Sequence, residues 1–160
     1  MNTERILLTS AGAERLRAEL KRLKTTDRPQ VIAAIAEARA HGDLSENAEY
    51  DAAKEQQGLI EARIRELESS LSAAEVIDPA TLNAPGKVVF GATVALYDEH
   101  RDSDVTYQLV GNLEADLDHG RISIRSPIGR ALVGKSEGDE IEVDAPAGKR
   151  VYEILKVSYP

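Results

Sequence analysis

Between residues 53 and 74 the chain repeats one pattern without a break. Ala53, Gln57, Ile60, Ile64, Leu67, Leu71 and Ala74 follow one another in alternating steps of four and three. At 3.6 residues per turn these positions form one narrow stripe on an α-helix, a seam that is buried only against another helix. The partner seam precedes it. Ala13, Leu16, Leu20 and Leu23 step by 3, 4 and 3, and Val31, Ile35 and Ala38 step by 4 and 3. Up to residue 78 the only proline is Pro29, and the only glycines are Gly12, Gly42 and Gly58. The first half therefore reads as two long helices packed on each other.

Their connection, His41-Gly42-Asp43-Leu44-Ser45, is too short for anything but antiparallel neighbours. Gly42 suits the left-handed position that ends a helix, and Asp43 or Ser45 suits the cap that starts the next. Pairing about this tip sets Leu20 against Leu71, Leu23 against Leu67 and Ile35 against Gln56. Arms of about 30 residues make a rod roughly 45 Å long. One step is irregular, because Leu23 and Val31 are eight residues apart instead of seven. The slip falls on Thr25-Thr26-Asp27-Arg28-Pro29. A kink or short break is expected there, with Asp27 capping and Pro29 in the first turn of a restarted helix.

Beyond Asp78-Pro79 the composition changes. Five of the six prolines and eight of the eleven glycines lie in 79–160. Alternating apolar and polar residues predict strands at Lys87–Phe90, Thr93–Tyr97, Val105–Val110, Arg121–Arg125, Glu140–Asp144 and Arg150–Val157. Ser126 to Val133 is the one stretch suited to a short helix, with Pro127 in its first turn. The expected architecture is α+β: a helical coiled-coil hairpin over 1–78, then a compact, mostly antiparallel domain over 79–160.

Composition narrows the function. Twenty Lys and Arg against 28 Asp and Glu leave a net charge of −8, a poor match for free DNA or RNA. There is no Cys, which removes disulfides, thiolate metal sites and a cysteine nucleophile. His41, His100 and His119 are too far apart in sequence to suggest a zinc site. The longest apolar run, Val31 to Ala36, is far short of a membrane span. The opening Met-Asn-Thr-Glu-Arg has neither the basic start nor the apolar stretch of a secretion signal. A cytoplasmic protein with no membrane partner is expected.

Gly129 to Ser136 reads G-x-x-x-x-G-K-S, a phosphate-loop pattern, but its context is wrong. That loop must follow a strand and open a helix. Here Ser136 leads into Glu137-Gly138-Asp139-Glu140, and acidic residues repel phosphate. More telling is the tip, with Asp43 and Glu46 between the arms, Glu49 three residues on, Arg39 and Lys54 flanking, and Tyr50 close by. Asp43-x-x-Glu46 resembles a capping box, the commoner use of such residues. The same carboxylates could serve Mg²⁺, but two of them cannot fill an octahedral shell and would need a partner's oxygens. Arg39 and Lys54 read singly as solvated charges or weak pairs with Glu37 or Glu55. Arg15, Arg17, Lys21, Arg22, Lys24 and Arg28 read as coiled-coil surface. Tyr50 could stack on a base or cover the seam.

The run from Arg39 through Gly42-Asp43-Leu44-Ser45-Glu46-Asn47 to Tyr50, with Ala52 to Gln57 after it, resembles the tip of bacterial transcript cleavage factors of the GreA type. The likeness extends along the ascending arm at 32–39 and through Val76-Ile77-Asp78 and Phe90 to Val94. It continues at Ser126-Pro127-Ile128 and Leu132 to Lys135. The resemblance implies a globular domain of FKBP-like fold docking on the rim of the RNA polymerase secondary channel through Ser126, Pro127 and Ile128. It implies a hairpin inserted into that channel, with Asp43 and Glu46 helping to hold a Mg²⁺ shared with the polymerase and Arg39 and Lys54 facing the RNA 3′ end. On this reading the chain is no enzyme. It stimulates the polymerase's own cleavage of backtracked RNA in trans, binds no metal alone and has little affinity for free nucleic acid. Alternatives are a paralogous inhibitor that occupies the channel without cleavage, a prolyl isomerase or chaperone, and a purely structural coiled-coil adaptor.

Overall fold

A computed structural model describes residues 6–42 and 47–160. Strand β1 (Ile6–Thr9) leads into α1 (Ser10–Arg22), a five-residue π turn (Leu23–Asp27) and α2 (Arg28–Ala40). After the connection come α3 (Ala48–Ala73) and β2 (Ala74–Ile77), then β3 (Thr93–Asp98), β4 (Ser103–Val110), β5 (Arg121–Ser123), α4 (Pro127–Leu132), β6 (Glu140–Ala145) and β7 (Gly148–Ser158). The α+β reading holds. The expected boundary lay at residue 78. In the structure one compact unit spans Ala13–Ala74, and the residues up to Gly12 join Glu75–Pro160 in the other. β1 belongs to that second unit, where it pairs with β2 in a two-stranded sheet. Neither strand is legible as one in the sequence.

In the helical unit the seam is buried along most of its length, with Leu20, Ala53, Gln57, Leu71 and Ala74 half-buried. Leu16, Leu23, Val31, Ile35 and Ala38 of the first arm are buried, as are Ile60, Ile64 and Leu67 of the second. Ion pairs cross between the arms beside it: Lys24 with Glu68, Arg28 with Glu61 through two hydrogen bonds of 2.8 Å, and Arg63 with Glu19 at 2.6 and 3.0 Å. The basic residues Lys24 and Arg28 are thus surface partners of the opposite arm.

No break occurs near Pro29. The extra residue is absorbed by the π turn, in which the Arg28 N–H donates to the Leu23 carbonyl, five residues back. A turn that holds one more residue keeps Leu23 and Val31 on the same stripe although they are eight apart. The wider turn also suits Pro29, which has no N–H to give and whose ring would crowd a regular preceding turn. The Thr25 hydroxyl donates to the Lys21 carbonyl at 2.7 Å, a bond that favours local bending. Asp27 has helical backbone angles and makes no capping bond. Its carboxylate lies 3.6 Å from Arg22 instead, so the expected cap is absent.

The second unit is built on five strands in the order β5-β4-β3-β7-β6. All neighbours are antiparallel except β4 and β5, which run parallel. Val94, Leu96, Leu109, Ile122, Ile154 and Leu132 of α4 form an aliphatic core. Lys87–Phe90, expected as a strand, is not one. Val88 exchanges only two backbone bonds, with Lys135 and Gly134, between the left-handed Gly86 and Gly91. A Cβ on Gly91 would approach Pro79 to 2.9 Å, so both the turn and the packing demand glycine.

The root of α1 is fastened by a buried carboxylate. Glu114 accepts the Thr9 hydroxyl, the Thr9 N–H at 3.0 Å and the Gly111 N–H at 2.9 Å. The Thr9 oxygen in turn accepts the Gly12 N–H at 3.0 Å. A Cβ on Gly12 would fall 1.7 Å from Glu114 Oε1, so only glycine fits beside this group.

Candidate functional site

The tip is assembled from the last turn of α2 and the first turn of α3. Helix α2 ends at Ala40, and Gly42 takes the left-handed conformation expected of it, with φ of +102°. Helix α3 starts at Ala48 and is capped by Asn47, whose Oδ1 accepts the Tyr50 N–H at 3.1 Å. The sequence assigned this cap to Asp43 or Ser45. It falls on Asn47 because the first free amides of α3 are those just beyond residue 47, within reach of its side chain. Asp43 and Glu46 themselves lie outside the described residues. They belong to the seven-residue connection 41–47 that joins the two arms.

Among the described residues three contacts cross between the arms at this neck. Asn47 Nδ2 donates to the Ala38 carbonyl at 2.6 Å. His41 Nδ1 lies 3.2 Å from Glu49 Oε2. The Arg39 guanidinium stands over the Tyr50 ring, 5.8 Å from its centroid, within cation–π range. Tyr50 is therefore half-buried against the opposite arm. Arg39 engages that ring instead of Glu37, and Lys54 Nζ reaches Gln57 Oε1 at 3.3 Å instead of Glu55. Arg39 and Lys54 line one shallow depression together with Ile32, Ile35, Ala36 and Gln57. Ile32 is 52% exposed there, giving the basic pair an apolar floor.

In the second unit, Ser126 caps α4. Its Oγ accepts the Gly129 N–H at 3.1 Å and donates to the Ser123 carbonyl at 2.6 Å. Pro127 occupies the first turn and is exposed, whereas Ile128 is only half exposed because it packs against the core. Val133, 41% exposed just after α4, is the more open apolar side chain.

The phosphate-loop pattern builds no anion site. Residues 127–132 are helix, Leu132 is buried, and the amides of Gly134 and Lys135 are bonded to the Val88 and Leu132 carbonyls. Among the described residues no three acidic or histidine side chains come together as a metal site. Nor is any helix among them long and apolar enough to cross a membrane. Among the described residues of the tip, the parts of Asn47 and of the His41–Glu49 pair were not revealed by the sequence. The signal for Asn47 was present, an Asn immediately before a helical run, but Asp43 and Ser45 competed for the same role.

The chain matches the family "Transcription elongation factor, N-terminal" over residues 6–76 and "Transcription elongation factor, GreA/GreB, C-term" over 83–159. Transcription elongation factor GreA of Thioalkalivibrio sulfidiphilus is 64% identical over 152 residues, 95% of this chain and 96% of that protein. GreA of Ralstonia nicotianae is 63% identical over 154 residues, covering 96% and 98%. Among solved structures, GreA factor homolog 1 of Thermus thermophilus is 32% identical, with a TM-score of 0.45 over 97% of this chain and 99% of that one.

Proposed function

Because this chain belongs to the GreA/GreB family of transcription elongation factors, we propose that it acts on RNA polymerase, entering the secondary channel with its hairpin and stimulating cleavage of backtracked RNA. The observation that carries this reading is the placement of the two carboxylates. α2 ends at Ala40 and α3 starts at Ala48, so Asp43 and Glu46 belong to the connection that joins the two arms of the hairpin. α3 alone, at 26 residues, is about 39 Å long. An acidic pair at the end of such an arm suits delivery into a deep, narrow site, and a structural adaptor would have no use for it.

Hard carboxylate oxygens are the donors Mg²⁺ prefers, and two of them fit a site whose remaining ligands come from the polymerase and its substrate. Asp43 and Glu46 would hold the ion there, and it would supply charge stabilisation at the scissile phosphate and a more acidic bound water. The chain's own part is to bring the carboxylates in at high local concentration. Arg39 and Lys54, which line one depression on the hairpin, attract the phosphates of the displaced RNA end. Ser126, Pro127 and Ile128 are assigned to the docking surface at the channel rim. A net charge of −8 is no obstacle, since the partner is a protein and free nucleic acid is not bound.

The test adds the protein and Mg²⁺ to a halted, backtracked polymerase complex. Shortened RNA is expected, with none when naked RNA replaces the complex. Unshortened RNA from a complex to which the protein demonstrably binds would favour a channel-blocking inhibitor.

A further inference from the structure

We propose that Asn47 is a positioning residue, one that ties the end of α2 to the start of α3 and so fixes the neck from which the acidic connection springs; this rests on the function proposed above. A helix ends with carbonyls that lack donors, and the next begins with amides that lack acceptors. A side-chain amide carries both complements on one planar group. Asn47 uses both: Oδ1 takes the Tyr50 N–H of α3 at 3.1 Å, and Nδ2 gives to the Ala38 carbonyl of α2 at 2.6 Å. The orientation of the amide is not ambiguous, because one partner can only donate and the other can only accept. Ala38 O also accepts the His41 N–H at 3.2 Å, which uses both of its lone pairs. A single side chain thereby joins Ala38 of α2 directly to the first turn of α3. Ala38 is itself anchored, 3% exposed in the seam, so the clamp is fixed to the hairpin core and not to a fraying end.

Capping alone does not require asparagine. Asp or Ser at residue 47 would offer Tyr50 an oxygen, and both are good caps. Neither can replace the bond to Ala38: Asp has no hydrogen to give, and the Ser side chain is one atom shorter. Asn47→Asp and Asn47→Ser therefore separate the clamp from the cap. The neighbouring contacts, His41 with Glu49 and Arg39 with Tyr50, involve no atom of Asn47, so neither substitution removes a partner from them.

Two measurements on the full-length protein test the proposal. In the free protein, amide hydrogen exchange over residues 38–50 should quicken about tenfold in both variants, the weight of one lost hydrogen bond, with exchange elsewhere unchanged. With backtracked polymerase, the cleavage rate at saturating factor should fall about tenfold or more, since small misplacements of reacting groups are costly. The factor concentration for half-maximal rate should stay the same. A merely structural role would instead lower the melting temperature and raise that concentration, leaving the saturating rate intact. Saturating rates equal to the parent's in both variants, or unchanged exchange at the tip, overturn the proposal. If the parent stimulates no cleavage, the proposed function fails and the positioning role fails with it, whatever the exchange data show.

Discussion

Replacing Asp43 by Asn or Glu46 by Gln removes one ionised oxygen donor and changes little else. Loss of a ligand to a catalytic metal costs several kcal/mol in the transition state, so cleavage should fall about 10²-fold or more. Half-saturation by the factor should be unchanged, because the docking surface proposed above, at Ser126, Pro127 and Ile128, lies elsewhere in the chain. Because the cap of α3 belongs to Asn47, neither change should lower helix stability, and thermal melts of both variants should overlay the parent. Cleavage kinetics and melts on the same preparations check both halves of this expectation. The carboxylates were legible as a pair at a hairpin tip, but the cap was not. Asp43, Ser45 and Asn47 are all good N-cap residues within five positions. Choosing among them depends on where the opposite arm lets α3 begin, and that is a tertiary fact.

Within the hairpin, the π turn and Pro29 form one device. Deleting Thr26 restores a seven-residue step from Leu23 to Val31 and a regular helix, which sets the ring of Pro29 against a carbonyl one turn back. The expected cost is about 3 kcal/mol, relieved when Pro29→Ala is added, and denaturant melts of the single and double variants read it. The ion pairs make a second prediction. Hydrogen bonds from Arg63 hold the Glu19 carboxyl below the usual range, and those from Arg28 do the same for Glu61. A carboxyl depressed in the folded state contributes stability above its ordinary pKa and loses it as pH falls through the folded value. The melting temperature should therefore drop on acidification below about pH 4. The double variant Glu19→Gln, Glu61→Gln should start lower at neutral pH and drop less. Identical acid profiles would mean that these pairs add nothing to stability.

For the whole molecule, the two units are expected to divide binding from chemistry. Replacing Pro127 and Ile128 together by Ser should raise the half-saturating factor concentration about 5- to 150-fold, the loss of one apolar anchor, and leave the saturating rate unchanged. Ile128 packs partly on the core, so this variant should also melt lower. Val133→Ser, at an exposed position beside α4, tests the same surface without touching the core. A binding titration run beside cleavage at several factor concentrations separates the outcomes. A fall in the saturating rate without a change in affinity would remove docking from this surface.

What the sequence determined by itself is whatever depends on period and local chemistry. The 4-3 seam dictated paired helices, Gly42 the end of the first arm, and alternating residues the five strands from Thr93 to Ser158. These signals are local, because each follows from neighbours a few residues apart. Tertiary structure decided the rest. β1 is four residues long and carries no alternation of its own; it is a strand because β2 pairs with it, and Glu114, more than 100 residues away in sequence, holds its last residue. Lys87–Phe90 has the composition of a strand but makes only an isolated bridge, Lys87 with Ser136, beside the bonds of Val88 to Gly134 and Lys135, so no strand forms. The eight-residue step looked like a break, yet the opposite arm offers an uninterrupted seam, and burying it favours one wide turn over a severed helix. Periodicity states which face of an element will be buried. Which elements exist at the margins, and which polar side chain satisfies which helix end, is settled only when the partners are in place.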